Sequence, residues 1–444
     1  MRIFSRLKNN AKKFALSLAT RLLRSYGRLR FPETTSKGEG QVRHLLIYCP
    51  NLGGHRPLYL VRLLEFYLPR VERITLAYTG LLVDSAKQKY DVNARVPFLE
   101  KFINHPKITW TQVFPSASRR KHLHDIVSLQ ETLQPDVTLF ADGDALIHEF
   151  LYQLLPGFPR LHRRTYAVFI LSEFFHEPFP RYRKVGWKNY LAKLRTLFFH
   201  RVALPNVPLL DGALHSDDKY VQWANTPRVT LLPELGGYPS DERHIPSGDR
   251  SFYARVTEAY QAFLSRHEGK EVILAFGDLE PRKGFRFLVR YVIEHPETIL
   301  VRIGRTKPNY TEDWTTCLNR ERLYKEDRFF ELNVYVDDPD FIDVIFNSIR
   351  FLPLPYIQYY RTSSVMIQAI SYKKPVIVPD IGLMGYRVKR YGLGLTFTPE
   401  NYKNFAETVQ RMRDAYPSFT PNLEAYMERF FSKEALENAL QHTL

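Results

Sequence analysis

LPLPYIQYYRTSSVMIQAISYKKPVIVPDIGLMGYRV, residues 352–388, reads as strand, loop, helix, strand and loop. The apolar runs at 352–354 and 375–378 are short and continuous, as in strands buried on both faces. Between them the apolar spacing over 363–372 predicts a helix, opened by Thr362, Ser363 and Ser364. Further back along the chain, strands are predicted over 272–276, 299–303 and 329–335, and helices over 252–266, 285–294 and 311–321. Such alternation implies parallel strands covered on both faces. From 402 to the end the pattern is helical.

A polar segment, 236–250, interrupts the pattern, and before it lies a first round of the same kind. Strands are predicted at 44–49, 74–78, 108–113, 137–140 and 166–171, with short ones near Val202 and Val229. Helices are predicted over 58–68, 92–102, 123–133 and 187–200. The expected fold is α/β, with two Rossmann-like domains facing a central cleft, the natural place for a ligand. The expected division is a basic tail over 1–41, an N-terminal domain over 42–245 and a C-terminal domain over 246–400. Helices over 401–444 are expected to pack back across the joint.

Composition narrows the class. The chain has 444 residues, too many for one ordinary core. Cys49 and Cys317 are its only cysteines, so it has no disulfide framework or CxxC metal site, and a reducing, cytoplasmic setting is expected. No apolar run approaches the roughly 20 residues needed to span a bilayer. The net charge is +16, with Arg2, Arg6, Lys8, Lys12, Lys13, Arg21, Arg24, Arg28 and Arg30 all preceding the first acid, Glu33. Phe4, Leu7, Ala11, Phe14, Leu18, Leu22 and Leu29 form an apolar stripe through this tail. A basic amphipathic helix of this kind suits the anionic surface of a membrane. No nucleic-acid module accompanies the charge, so no nucleic-acid partner is expected.

Two loops carry the chemistry of the second half. In AFGDLEPRKGFRFLVRYV, residues 275–292, a strand ends at Gly277 and a helix begins after Gly284. Arg282 and Lys283 then stand at a strand's C-terminal edge, where two cations suit a diphosphate. Ser363 and Ser364 lie at a helix start, where open backbone N–H groups attract phosphate and where ordinary capping is the plainer role.

These segments resemble the nucleotide-sugar domain of the GT-B glycosyltransferases, especially the group 1, family 4-like retaining enzymes. LEPRKGFRFL is similar to the family's Pro-x-Lys-Gly segment. SSVMIQAISYKKPVIVPDIG is similar to its Glu-Ala-x-x-x-Gly-Lys-Pro-Val-Ile signature through Ala369, Lys374, Pro375, Val376 and Ile377. PNLGGHRPLYLVRLL, residues 50–64, is similar to the Gly-Gly turn that opens the acceptor domain. The likeness is densest over 270–400. It implies sugar transfer from a nucleoside-diphosphate sugar, which is a co-substrate, with no cofactor and no required metal. Lys283 matches the lysine that contacts the diphosphate, and Gly53 and Gly54 bring backbone amides close to phosphate or sugar.

The sequence also departs from that pattern. The family's paired glutamates correspond to Tyr360 and Gln368, and its arginine after the strand's glycine to Asp278. Gln368 still offers hydrogen bonds to hydroxyls, and Arg361 is a further candidate for the diphosphate. On the acceptor side, Glu173 and His176 in LSEFFHEPFPRYR follow an apolar run and are the expected catalytic pair, with His55 a competing candidate. A rival reading takes Asp142 and Asp144 of FADGDAL as a metal-holding Asp-x-Asp pair. The expected function is glycosyl transfer to a lipid-linked or cell-envelope glycan acceptor. The alternatives are a non-catalytic glycan- or partner-binding protein of the same fold and a nucleotide-sugar epimerase.

Overall fold

The computed structural model describes residues 41–50, 56–79, 99–114, 116, 118–162, 164–170, 173–176, 187–234, 250–336 and 338–444. The basic tail and the Gly53–Gly54 turn, with His55, lie outside these residues. The chain forms two compact units. One runs through Leu232 and takes in Glu437–Leu444, and the other is Pro233–Leu436.

In the first unit the elements run β1 (His44–Cys49), α1 (Arg56–Tyr67), β2 (Arg73–Thr79), α2 (Glu100–Ile103), β3 (Ile108–Val113) and α3 (Arg119–Leu133). Then come β4 (Val137–Phe140), α4 (Ile147–Tyr152), β5 (Thr165–Phe169), α5 (Glu173–His176), α6 (Trp187–Phe198) and α7 (Leu204–Asn206). β6 (Gly212–His215), α8 (Asp218–Ala224) and β7 (Val229–Leu231) complete it. The strands make one parallel sheet in the order β3-β2-β1-β4-β5-β6-β7. Strand order reverses between β1 and β4, where Ile47 pairs with Leu139. Every residue of β1, HLLIYC, is buried, as a strand covered on both faces requires. An aromatic cluster holds the helices to the sheet, with Phe150 packed edge-on to Phe140 and Phe169 and stacked on Phe199.

The strand expected near Val202 is instead a π-helical turn, Phe199–Ala203, that prolongs α6. Phe199, His200, Val202 and Ala203 are all buried there, so an apolar run that resembles a strand is satisfied by helical packing. The strand at this point is β6, GALH, too short and too poor in β-branched residues to announce itself.

The second unit runs α9 (Arg250–Arg266), β8 (Glu271–Phe276), α10 (Phe285–Glu294), β9 (Thr298–Ile303), α11 (Trp314–Lys325), β10 (Phe329–Leu332) and α12 (Pro339–Asn347). It continues through β11 (Leu352–Pro353), α13 (Ser364–Ser371), β12 (Val376–Pro379), α14 (Gly382–Tyr391), β13 (Gly394–Phe397), α15 (Tyr402–Ala415), α16 (Thr420–Phe431) and the start of α17 (Lys433–Gln441). Its strands are parallel in two groups, β10-β9-β8 and β11-β12-β13. α10 shows why its helix forms: Phe285, Leu288, Val289 and Val292, at spacings of three and four, are all buried. Both units are Rossmann-like, as the alternation predicts. The stretch after β12, read as a loop, opens α14 at Gly382.

Candidate functional site

The cationic turn of the second unit is built around Gly284. Its φ is +64°, and a Cβ there would sit 1.9 Å from the carbonyl oxygen of Pro355, so the turn presses on the segment after β11 in a way only glycine allows. The Arg282 carbonyl accepts a bond from the Ile357 amide at 2.7 Å, which pins the two loops together. Lys283 Nζ donates to the Phe276 carbonyl at 3.0 Å and lies 5.5 Å from the centre of the Tyr356 ring. The Arg282 guanidinium lies 4.5 Å over Tyr359 and pairs with Glu280 at 2.6 Å.

The same tyrosines reach the helix start. Tyr356 and Ser363 hydroxyls are 3.2 Å apart, and the Tyr359 hydroxyl donates to the Thr362 carbonyl at 2.8 Å. Ser363 is the N-cap of α13 yet makes no side-chain cap bond, and Ser364 beside it is exposed. The structure therefore gathers Arg282, Lys283 and Ser363 around Tyr356 and Tyr359, at the C-terminal edges of β8 and β11. Gln368 is half-buried in the second turn of α13, and Arg361 is half-buried just before it. A cavity of about 20 Å³ beside β8 and β11 is lined by Leu274, Phe276, Lys283, Leu288, Arg302 and Tyr356. That volume suits a water-sized group.

Tyr360, at the position of a family glutamate, is buried, and Gly382 packs on its backbone. A Cβ on Gly382 would come within 2.5 Å of Tyr360 Cα. Beneath this loop sits a charge the sequence reading missed. Arg387 of α14 is fully buried, pairs with Glu234 and reaches Thr362 Oγ1 at 3.4 Å. Also missed were Arg305 and Lys307, which follow β9. They bind Asp278 at 3.0 and 2.9 Å, so the acid standing at the family's arginine position carries two cations with it. Burial pushes the Asp278 carboxyl up, but bonds from Arg305 and Lys307 hold it below the ordinary range. No local pattern announces these pairs, because each joins segments distant in the chain.

In the first unit, Glu173 opens α5 and His176 ends it. The His176 ring turns inward, with Nε2 2.7 Å from Asp217 Oδ2 and a side chain 2% exposed. Asp217 also caps α8 by accepting from the Tyr220 amide at 3.0 Å. Burial opposes ionisation of Asp217, but the bond from His176 holds its carboxyl below the usual range. Of the Asp-x-Asp pair, Asp142 is buried, and Asp144 accepts from the Ile170 amide at 2.7 Å, tying the end of β4 to that of β5. Among the described residues no group of three or more His, Cys, Asp or Glu is arranged to hold a metal ion.

No protein-family model matches the sequence, and no curated protein sequence matches it significantly. Solved structures do match in three dimensions. HepE of Anabaena in complex with UDP aligns at TM-score 0.59 and 14% identity, over 90% of this chain and 99% of that one. This chain has the GT-B fold. Sucrose-phosphate synthase from Thermosynechococcus elongatus aligns at TM-score 0.56 and 14% identity over 90% and 98% of the two chains. WaaG, a glycosyltransferase involved in lipopolysaccharide biosynthesis, aligns at 0.53 and 12% over 90% and 98%. The resemblance in the two loops of the second half is thus matched by the whole GT-B fold. No helix among the described residues is long and apolar enough to cross a membrane.

Proposed function

We propose that the protein transfers a sugar from a nucleoside-diphosphate sugar to a glycan or lipid-linked acceptor. One observation carries the reading: Arg282 and Lys283 share a strand edge with the Ser363–Ser364 helix start, locked together through Tyr356 and Tyr359. As the bond to the sugar breaks, charge builds on the departing diphosphate. Lys283 supplies a point charge, Arg282 a fork of donors, and the first amides of α13 a partial positive charge, all placed before the reaction begins. The fold shared with UDP-bound HepE supports the nucleotide part of this reading, and that shared with WaaG its envelope-glycan part. The diphosphate is held by protein cations in this scheme, without a metal, and the configuration at the sugar carbon is retained.

Gly53 and Gly54 are assigned to close approach of the donor, and Arg361 and Gln368 to flanking contacts. His176 acts here through Asp217, as a positioning group for α5, because its side chain is buried against that carboxylate. The tail holds the protein at the cytoplasmic face of an anionic membrane, so deleting residues 1–30 lowers flotation with anionic liposomes.

Calorimetric titration of the full chain with UDP, GDP and ADP, followed by a transfer screen with the corresponding sugars, tests the proposal. At least one nucleotide binds, and Lys283→Gln weakens it by about 10- to 100-fold, as loss of a bond to a charged group implies. Binding of none of the three would favour a non-catalytic glycan- or partner-binding protein.

A further inference from the structure

α6 of the first unit turns part of its apolar surface outward. Leu191, Leu194 and Phe198, spaced three and four residues apart, share an arc of about 60° on the helix. Leu191 is 45% exposed and Phe198 36%, with Leu194 half-buried between them. Thr196, on the opposite side, is buried. A helix packed only on its own core would carry this stripe inward.

The stripe continues past the end of the helix. Arg201, exposed one turn beyond Phe198, donates to the Phe175 carbonyl at 3.2 Å and holds its guanidinium 5.3 Å from the centre of that ring. The Phe175 ring lies 5.4 Å from that of Trp223, which is 47% exposed on α8. Lys219, one turn before Trp223, is exposed as well. Elements distant in the chain thus place Leu191, Phe198 and Trp223 along one patch, linked through Arg201 and Phe175. Single exposed apolar residues are ordinary, whereas a contiguous patch marks a surface that something covers.

The charge beside the stripe has one sign. Between Glu177 and Asp211 the sequence holds no acid, while Lys188, Lys193, Arg195 and Arg201 fall within α6 or just after it. Two copies of this patch brought together would set cation against cation. An anionic bilayer meets both of its properties. Headgroups attract the cations, and the apolar side chains enter the boundary of the acyl layer. Tryptophan favours that boundary, because its ring is apolar and its N–H is polar. With 12 residues, α6 has the length to lie in the surface and not to cross it.

We infer that the outer face of α6, with Arg201, Phe175 and Trp223, is a docking surface for anionic phospholipid bilayers, distinct from the basic tail. A patch on a folded unit also fixes how that unit is oriented on the bilayer. The contact is independent of the transfer reading above.

The test is titration of the full chain with vesicles of phosphatidylcholine, alone and mixed with phosphatidylglycerol. The mixed vesicles bind it, and Leu191→Ser combined with Phe198→Ser weakens that binding at least about tenfold although the tail is intact. Both side chains are already partly exposed, so the double variant keeps the melting temperature of the parent. A second readout leaves α6 unaltered. Lipids brominated high on the acyl chain quench the tryptophan fluorescence of the parent protein, and Trp223→Phe removes part of that quenching. Equal binding by the parent and the double variant overturns the proposal and leaves attachment to the tail, and so does quenching that Trp223→Phe does not change. Equal binding to neutral and mixed vesicles overturns the choice of an anionic surface. Dimers of the parent that the double variant splits, with vesicle binding untouched, overturn it in favour of an interface between copies.

Discussion

Asp278 shows how one residue changes the meaning of a site. Where the resembled motif has an arginine, this chain has an acid, yet Arg305 and Lys307 fold onto it and leave the local sum positive by one charge. Replacing Asp278 by Asn removes the negative charge and releases both cations to a diphosphate. The expected outcome is UDP binding tightened roughly 3- to 10-fold at low ionic strength, with a steeper salt dependence, read by calorimetry at two salt concentrations. Weaker binding would show instead that Asp278 is needed to place its partners. Arg387 is the opposite case, a charge with no exposure at all. Arg387→Met strands Glu234 as a buried, uncompensated carboxylate and should cost about 3–5 kcal/mol in urea denaturation. Combining it with Glu234→Gln should recover much of that loss.

Among the elements, the turn between β8 and α10 is the critical piece. Gly284 holds a left-handed conformation against Pro355, so Gly284→Ala meets both a backbone penalty and a collision at 1.9 Å. The variant should unfold at a lower temperature and lose UDP binding by more than tenfold, because the cations move with the turn. α10 was legible from its periodicity, and the placing of Arg282 and Lys283 at a strand edge followed from strand–turn–helix order alone. β6 and β13 were not legible. Each has four residues and begins with glycine, and Gly212 is open space that the Tyr166 ring fills, 2.7 Å from where a Cβ would stand. Such strands exist because their neighbours pair with them, not through any preference of their own.

At the scale of the whole chain, each unit has its own dependence. The first unit includes the chain's end, where Leu440 is buried and Thr443 Oγ1 meets the Tyr67 hydroxyl at 2.6 Å. Truncation after Leu436 should lower the melting temperature of this unit, since the stranded Tyr67 hydroxyl alone costs about 1–3 kcal/mol. The first unit also contains His200, fully enclosed by aromatic rings. Burial, then the charge of His215, holds its pKa well below 6.5 despite Asp217. Below pH 6.5 the unfolded chain therefore takes a proton that the folded chain refuses. Stability is full above that pH and falls as pH drops, by up to about 1.4 kcal/mol per unit. Denaturant midpoints at pH 7.5 and 5.5 should show a smaller loss for His200→Phe than for the parent protein.

By itself the sequence determined the alternation of strands and helices, its two Rossmann-like rounds, and which loops meet a strand's C-terminal edge. These depend on periodicity and chain direction, and both are local. The tertiary structure alone decided which charges are spent on one another. It joined Arg387 to Glu234 across 153 positions, Asp278 to Arg305 across 27, and His176 to Asp217 across 41. An ion pair depends on a distance of a few ångströms, and spacing along the chain says nothing of that distance once the backbone turns.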